Sequence, residues 1–241
     1  IIECAVQSLG LNDVTPFINN EEIIDYAVKD NDDNLFDKDF LKSVSLNTPA
    51  PGGGSVSALS GALGSALCSM VASLTHEKKD MPQNRLIMEE IGVKAQELKD
   101  DLAHLVSEDS RAFNKVLDSI RAPAISEREK QEKTKNILLA NKYAIEIPYQ
   151  TAKKCYEVMQ LAEILIDKGN PSSLTDAGVA AEVAFSGLRG GCMNVLINLP
   201  ELNDKTYINQ KEKEVDNLLK IGKKLNSKLF KKTISLLEIT G

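Results

Sequence analysis

The sequence contains no tryptophan, and aromatic residues make up only 5% of it. Strands favour aromatic and β-branched side chains, so this shortage argues against a sheet protein, and no run of alternating apolar and polar residues supplies one. Histidine occurs only at His76 and His104, which make no metal-ligand pair. The four cysteines, Cys4, Cys68, Cys155 and Cys192, form no C-x-x-C motif. Each lies in an apolar stretch and reads as a reduced core residue of a cytoplasmic protein. No G-x-S-x-G is present, and no Ser/His/Asp ordering is worth defending, so neither a serine nucleophile nor a metal is expected. A net charge of −6 and a pI near 5.2 argue against nucleic acid as a partner. The sequence has no signal peptide, and its start at Ile1 reads as that of a piece of a longer protein.

Charge is missing altogether between Ser43 and Thr75. A membrane span needs about 20 apolar residues. Here Ser55, Ser57, Ser60, Ser65, Ser69 and Ser73 dilute the stretch, and no aromatic belt flanks it. The expectation is a buried helix and no membrane.

Hydrophobic residues form 42% of the 241, enough for a sizeable core. Residues 1–36 stand apart as two short helical stretches followed by the acidic run "KDNDDN", a linker because a block of solvated charge cannot join a core. From residue 37 to 241 the pattern is helical. Val56, Leu59, Leu63, Leu67, Met70 and Leu74 recur every three or four residues, and the positions between them are small. This helix has one bulky stripe and one smooth face, which suits a central place in a bundle. The next helix spans about residues 83–120, with a seam of Ile91, Ala95, Leu98, Leu102, Leu105, Asp109, Ala112 and Val116. "SERE" at residues 126–129 has capping-box spacing, and Pro148 should kink or split the helix that it starts. "GN" at residues 169–170 ends that helix. A short helix is expected over residues 171–188, broken at Gly190 and Gly191, then a brief apolar one in "CMNVLINL", and a long amphipathic one from about 204 to 238. The fold class is an all-α bundle of long antiparallel helices. Because one bundle is not expected to cover both faces of the glycine-led helix, the chain should form a homodimer, with the ligand pocket near the subunit boundary.

Asp109 is the most informative residue, a carboxylate in a seam position where Leu or Ala belongs. Buried without a partner it would shift its pKa or carry function; alternatively the bundle flares there and Asp109 meets solvent or a cation. "PGGGS" leads into a helix start, where free N–H groups attract an anion; the alternative is a close helix crossing. Asp176 in "GNPSSLTD" complements a helix dipole or serves a site. Lys78 and Lys79 follow a helix end as ordinary cations or bind a ligand carboxylate, and Arg189 is equally ambiguous. Asn194 and Asn198, one turn apart in an apolar helix, either hold a heterocycle or face solvent.

Taken together, "TPAPGGGSVSALSGALGSALCSMVASLT", "SEDSRAF", "GNPSSLTDAGVAA" and "MNVLINL", in this order, resemble the formimidoyltetrahydrofolate cyclodeaminase family, which includes related methenyltetrahydrofolate cyclohydrolases. The resemblance covers about residues 37–238, and residues 1–36 look like the tail of a formimidoyltransferase domain. It implies an all-helical fold, dimeric at least, and tetrahydrofolate derivatives as substrate, with or without polyglutamate tails. It implies Asp109 as the catalytic residue, and Gly52, Gly53, Gly54, Ser55, Lys78, Asp176, Asn194 and Asn198 as substrate-binding residues. No cofactor beyond the folate and no metal is expected. The expected reaction is conversion of 5-formimidoyltetrahydrofolate to 5,10-methenyltetrahydrofolate with release of ammonia, a step of histidine degradation. The alternatives are a cyclohydrolase on the same scaffold and a non-catalytic helical oligomerisation module.

Overall fold

The computed structural model describes residues 38–238, and it divides the chain between Leu46 and Asn47 into two compact units. In the first, the described part is one helix, α1 (Lys38–Ser45). The second contains α2 (Gly53–His76), α3 (Arg85–Arg121), α4 (Glu127–Lys168), α5 (Leu174–Asn198) and α6 (Lys205–Glu238), with single 3₁₀ turns before α3, before α5 and after α5. No strand occurs among the described residues. Cys4 and the segment 1–36 lie outside them.

α2 sits at the centre of this unit because its small residues let three helices approach. A Cβ on Gly61 would stand 3.1 Å from Leu102 of α3 and would also crowd Cys155 Sγ of α4. One on Gly64 would stand 2.8 Å from the Ala180 carbonyl of α5. Ala58, Ala62, Ser65, Cys68, Val71 and Ala72 are buried on this smooth face. The bulky stripe turns outward: Val56, Leu63, Met70 and Leu74 are between 40% and 54% exposed. By length and composition α2 is the one described helix that could cross a membrane, yet about half of that stretch is buried inside this unit.

α3 buries the expected seam, Ile91, Ala95, Leu98, Leu102, Leu105 and Ala112, and begins with the buried Met88. α4 opens with the capping box: Ser126 Oγ accepts from Glu129 N at 3.2 Å, and Glu129 Oε2 accepts from Ser126 N at 2.7 Å. Two expected breaks do not occur. Pro148 does not split α4, which runs on for 42 residues. Gly190 and Gly191 do not break α5, which continues from Leu174 to Asn198. These glycines are close-approach points: a Cβ on Gly191 would stand 2.7 Å from the Pro148 carbonyl, one on Gly187 would stand 2.6 Å from the Ser57 carbonyl, and one on Gly190 would overlap Ser57 Oγ. Glycine weakens an isolated helix, but here packing on both sides offsets that cost.

Cys68, Cys155 and Cys192 are free and buried. Burial pushes the Cys68 and Cys192 thiols up to about 12, and that of Cys155 higher still. Such thiols pack and do not react.

Candidate functional site

The first turn of α2, the last third of α3, the middle of α4 and the C-terminal end of α5 converge on a cavity of about 350 Å³. α2 contributes Gly53 and Gly54, with Gly52 before them; α3 contributes Asp109 and Phe113; α4 contributes Asn141 and Ala144; α5 contributes Asn194 and Asn198. Glu201, in the turn after α5, closes one side. Antiparallel packing of α2 on α5 explains why distant segments meet, since Gly53 faces Asn194 while Gly64 faces Ala180.

Asp109 holds the centre. It lies half-buried between the buried Leu105 and Ala112, and its Oδ2 accepts from the Ser55 hydroxyl at 3.0 Å. Ser55 is fully buried, within reach of Ser110 Oγ at 3.4 Å. Burial raises the Asp109 pKa above the ordinary carboxylate value, while hydrogen bonds from the Ser55 hydroxyl and backbone pull against it. The neighbouring Glu108 is pushed the other way. Hydrogen bonds from Tyr143 and Arg111 hold it below the ordinary value, and the charges of Arg111 and His104 add to them. The two adjacent carboxyl groups are thus shifted in opposite directions, and of the two only Asp109 lines the cavity. Tyr143 also ties α4 to α3 beside the cavity.

The helix start at "PGGGS" therefore meets an anion, but it is the protein's own. No side chain of the N-cap residue Gly52 serves the first turn of α2. The carboxylate of Asp109 does so instead, through Ser55.

The structure brings Gly52, Gly53, Gly54, Ser55, Asp109, Asn194 and Asn198 together. It does not bring Lys78 or Asp176 to them. Lys78 follows the C-terminus of α2, a helix of 24 residues, so it lies about 36 Å along the axis from the glycines. Asp176 is in the first turn of α5, about 27 Å along the axis from Asn194. The ends of α2 and α5 that carry these two residues point away from the cavity, and Asp176 stands where a carboxylate complements a helix dipole. Arg189 stacks its guanidinium 5.7 Å from the Phe185 ring, outside the cavity.

Sequence reasoning missed Asn141 and Glu201. Asn141 is buried and donates to the Glu201 carbonyl at 3.3 Å. A buried asparagine in a charged helix is a usable signal, but "LLANKYA" does not show which turn faces inward. Among the described residues no group of three or more His, Cys, Asp or Glu side chains could hold a metal ion.

The sequence profile described as formiminotransferase-cyclodeaminase matches residues 37–217. The chain is 35% identical to the methenyltetrahydrofolate cyclohydrolase of Methylorubrum extorquens, over 79% of this chain and 92% of that protein. It is 33% identical to the formimidoyltransferase-cyclodeaminase of Rattus norvegicus, over 92% of this chain; the match spans 42% of the rat protein's length. Among solved structures, the formiminotetrahydrofolate cyclodeaminase of Thermotoga maritima is similar, with a TM-score of 0.69 and 28% identity, covering 85% of this chain and 96% of that one.

Proposed function

The chain belongs to the formiminotransferase-cyclodeaminase family, and from that premise we propose that it converts 5-formimidoyltetrahydrofolate to 5,10-methenyltetrahydrofolate and ammonia. The observation that carries this reading is Asp109, a half-buried carboxyl group with a raised pKa beside a cavity that opens at a glycine-led helix start.

The reaction asks little beyond position and one proton. N10 of the folate attacks the amidinium carbon on N5, and a new N10–C bond forms. The carboxylate of Asp109 takes the proton that N10 sheds. It then gives that proton to the amino nitrogen, the C–N bond breaks, and ammonia leaves with the bonding pair. The methenyl cation remains, and Asp109 returns to its ionised state. A carboxyl group with a raised pKa does both tasks better than an ordinary one, because its proton affinity lies closer to neutral pH. The cavity fixes N10 against the carbon, which turns ring closure into an intramolecular step in a held geometry. While ionised, Asp109 also offsets the substrate cation.

A second reading has a specific observation behind it. The relative at 35% identity is a methenyltetrahydrofolate cyclohydrolase and is matched over nearly its whole length. Favouring ammonia release, the formimidoyltransferase-cyclodeaminases match 92% of this chain, against 79% for the cyclohydrolase. Their likeness thus extends into residues outside the shared helical domain. A packing module without catalysis would have no use for a carboxyl group with a raised pKa at Asp109. Supplying each folate in turn tests the choice: 5-formimidoyltetrahydrofolate should yield ammonia at a rate that hydrolysis of 5,10-methenyltetrahydrofolate does not match.

We also propose a homodimer. Its support is the exposed stripe of Val56, Leu63, Met70 and Leu74 on an otherwise central helix, with exposed Val179 and Met193 on the neighbouring α5. Exposed apolar side chains gathered on two neighbouring helices suit an interaction site, and a two-fold copy is the commonest way to cover it.

A further inference from the structure

Pro148 lies inside α4, and proline has no N–H to give the carbonyl four residues before it. That carbonyl belongs to Ala144, which lines the cavity. A carbonyl inside a packed unit needs a donor, and leaving it bare is costly. The donor comes from another helix: Asn198 Nδ2 donates to Ala144 O at 2.9 Å. Gly191, two turns earlier on α5, makes the approach possible. A Cβ there would stand 2.7 Å from the Pro148 carbonyl and 3.1 Å from both Ala152 N and Cβ.

The bond also decides how the Asn198 amide is turned. A carbonyl can only accept, so the amide must offer it Nδ2, and Oδ1 is the atom left over. That oxygen takes no hydrogen bond among the described residues, and it is not one of the buried atoms sealed without a partner. Asn194 follows the same rule, with Nδ2 donating to the Gly190 carbonyl at 2.8 Å. With Asp109 and Glu201, the polar lining near these residues is rich in acceptors.

We propose that Asn198 is a specificity-determining residue whose orientation is imposed by Pro148. The proline removes a donor from α4, Asn198 replaces it, and the amide is thereby locked with its oxygen towards the cavity. There it selects a ligand group that carries N–H donors, as the pterin edge and the amidinium of a formimidoylfolate do. The ligand named rests on the folate reading above, whereas the link between Pro148 and Asn198 does not.

Four proteins test this: the wild type, P148A, N198A and the double variant. In P148A, residue 148 regains its N–H and α4 can serve Ala144 by itself. Thermal unfolding should show N198A lowering Tm by about 4 °C in the wild-type background and by about 1 °C or less in P148A. Equal losses in both backgrounds would overturn the link.

Tetrahydrofolate affinity, measured by titration on each folded protein, gives the second readout. Pro148 is not part of the cavity lining, yet P148A should weaken binding roughly fivefold, because the Asn198 amide is then free to turn. N198A should weaken it roughly tenfold, and adding P148A to N198A should cost no more. Wild-type affinity in folded P148A would overturn the selectivity. Failure of the wild type to bind tetrahydrofolate would overturn the folate reading and the ligand named here, and the Tm cycle would still decide the link.

Discussion

Asp109 occupies the space that a side chain on Gly54 would need. A Cβ built there would stand 2.5 Å from Asp109 Cγ and 2.7 Å from Oδ2, and nearer still to Oδ1. The glycine run therefore makes room for an internal carboxylate at the start of α2, and the open side of that carboxylate borders the cavity. Gly53 is different: a Cβ there meets Asn194 Nδ2 at 3.5 Å, an ordinary contact.

The two glycines should accordingly respond differently. Gly54→Ala should displace the Asp109 carboxylate and lower kcat by roughly 10²–10⁴, the range for losing a positioned acid–base group. Gly53→Ala should fold and keep most of its activity. Steady-state rates beside thermal unfolding check this, and equal losses in the two variants would contradict it.

Asp109→Asn keeps the volume and an acceptor for Ser55 but removes the titrating group. Because burial raises the folded-state pKa above the ordinary 3.8, the fold binds this proton more tightly than the unfolded chain does. Ionising Asp109 therefore costs stability, and the cost grows as pH rises from about 3.8 through the raised value, then levels off. The wild type should lose stability relative to Asp109→Asn over that window and run parallel above it. Denaturant unfolding across pH 3–8 reads the difference, and a gap independent of pH would contradict it.

Ser55→Ala removes a hydrogen bond that pulls the Asp109 pKa down. Asp109 must be ionised to take the N10 proton, so the acid limb of the rate profile should move to higher pH in this variant. A profile superimposable on that of the wild type would separate Ser55 from the acid–base group.

The outward stripe of α2 yields an assembly prediction. Light scattering at micromolar concentration should return twice the 26.3 kDa chain mass. Leu63→Glu, at a position 54% exposed, should return the single chain mass without loss of helicity. A wild-type monomer would contradict the proposed interface.

Much of the fold is legible in the sequence because helical periodicity and capping are local. The seam of α3 and the Ser126 capping box follow from spacing alone. What spacing does not reveal is the use of glycine in tertiary packing. Gly190 and Gly191 read as a break, yet Ser57, Pro148 and Ala152 press on them and α5 continues through them unbroken. Pro148 reads as a kink or a split, yet α4 stays unbroken, and the donor that its missing N–H leaves to be found comes from Asn198, 50 residues further along the chain. The candidate site divides in the same way. Asp109 stands out because it violates a seam, and the glycines because three occur together. Lys78 and Asp176 have suitable chemistry, but only the antiparallel course of α2 and α5 reveals that they sit at the far ends of those helices.

In the reaction proposed, this cavity closes the folate ring and expels ammonia through Asp109. The most direct measurement is a single-turnover reaction with 5-formimidoyltetrahydrofolate, following methenyl absorbance and ammonia in the same sample. The wild type should form both in equal amounts and at one rate, and folded Asp109→Asn should form both more slowly by roughly 10²–10⁴. Formation at the same rate in folded Asp109→Asn, or no ammonia from a wild type that readily hydrolyses 5,10-methenyltetrahydrofolate, would contradict the account.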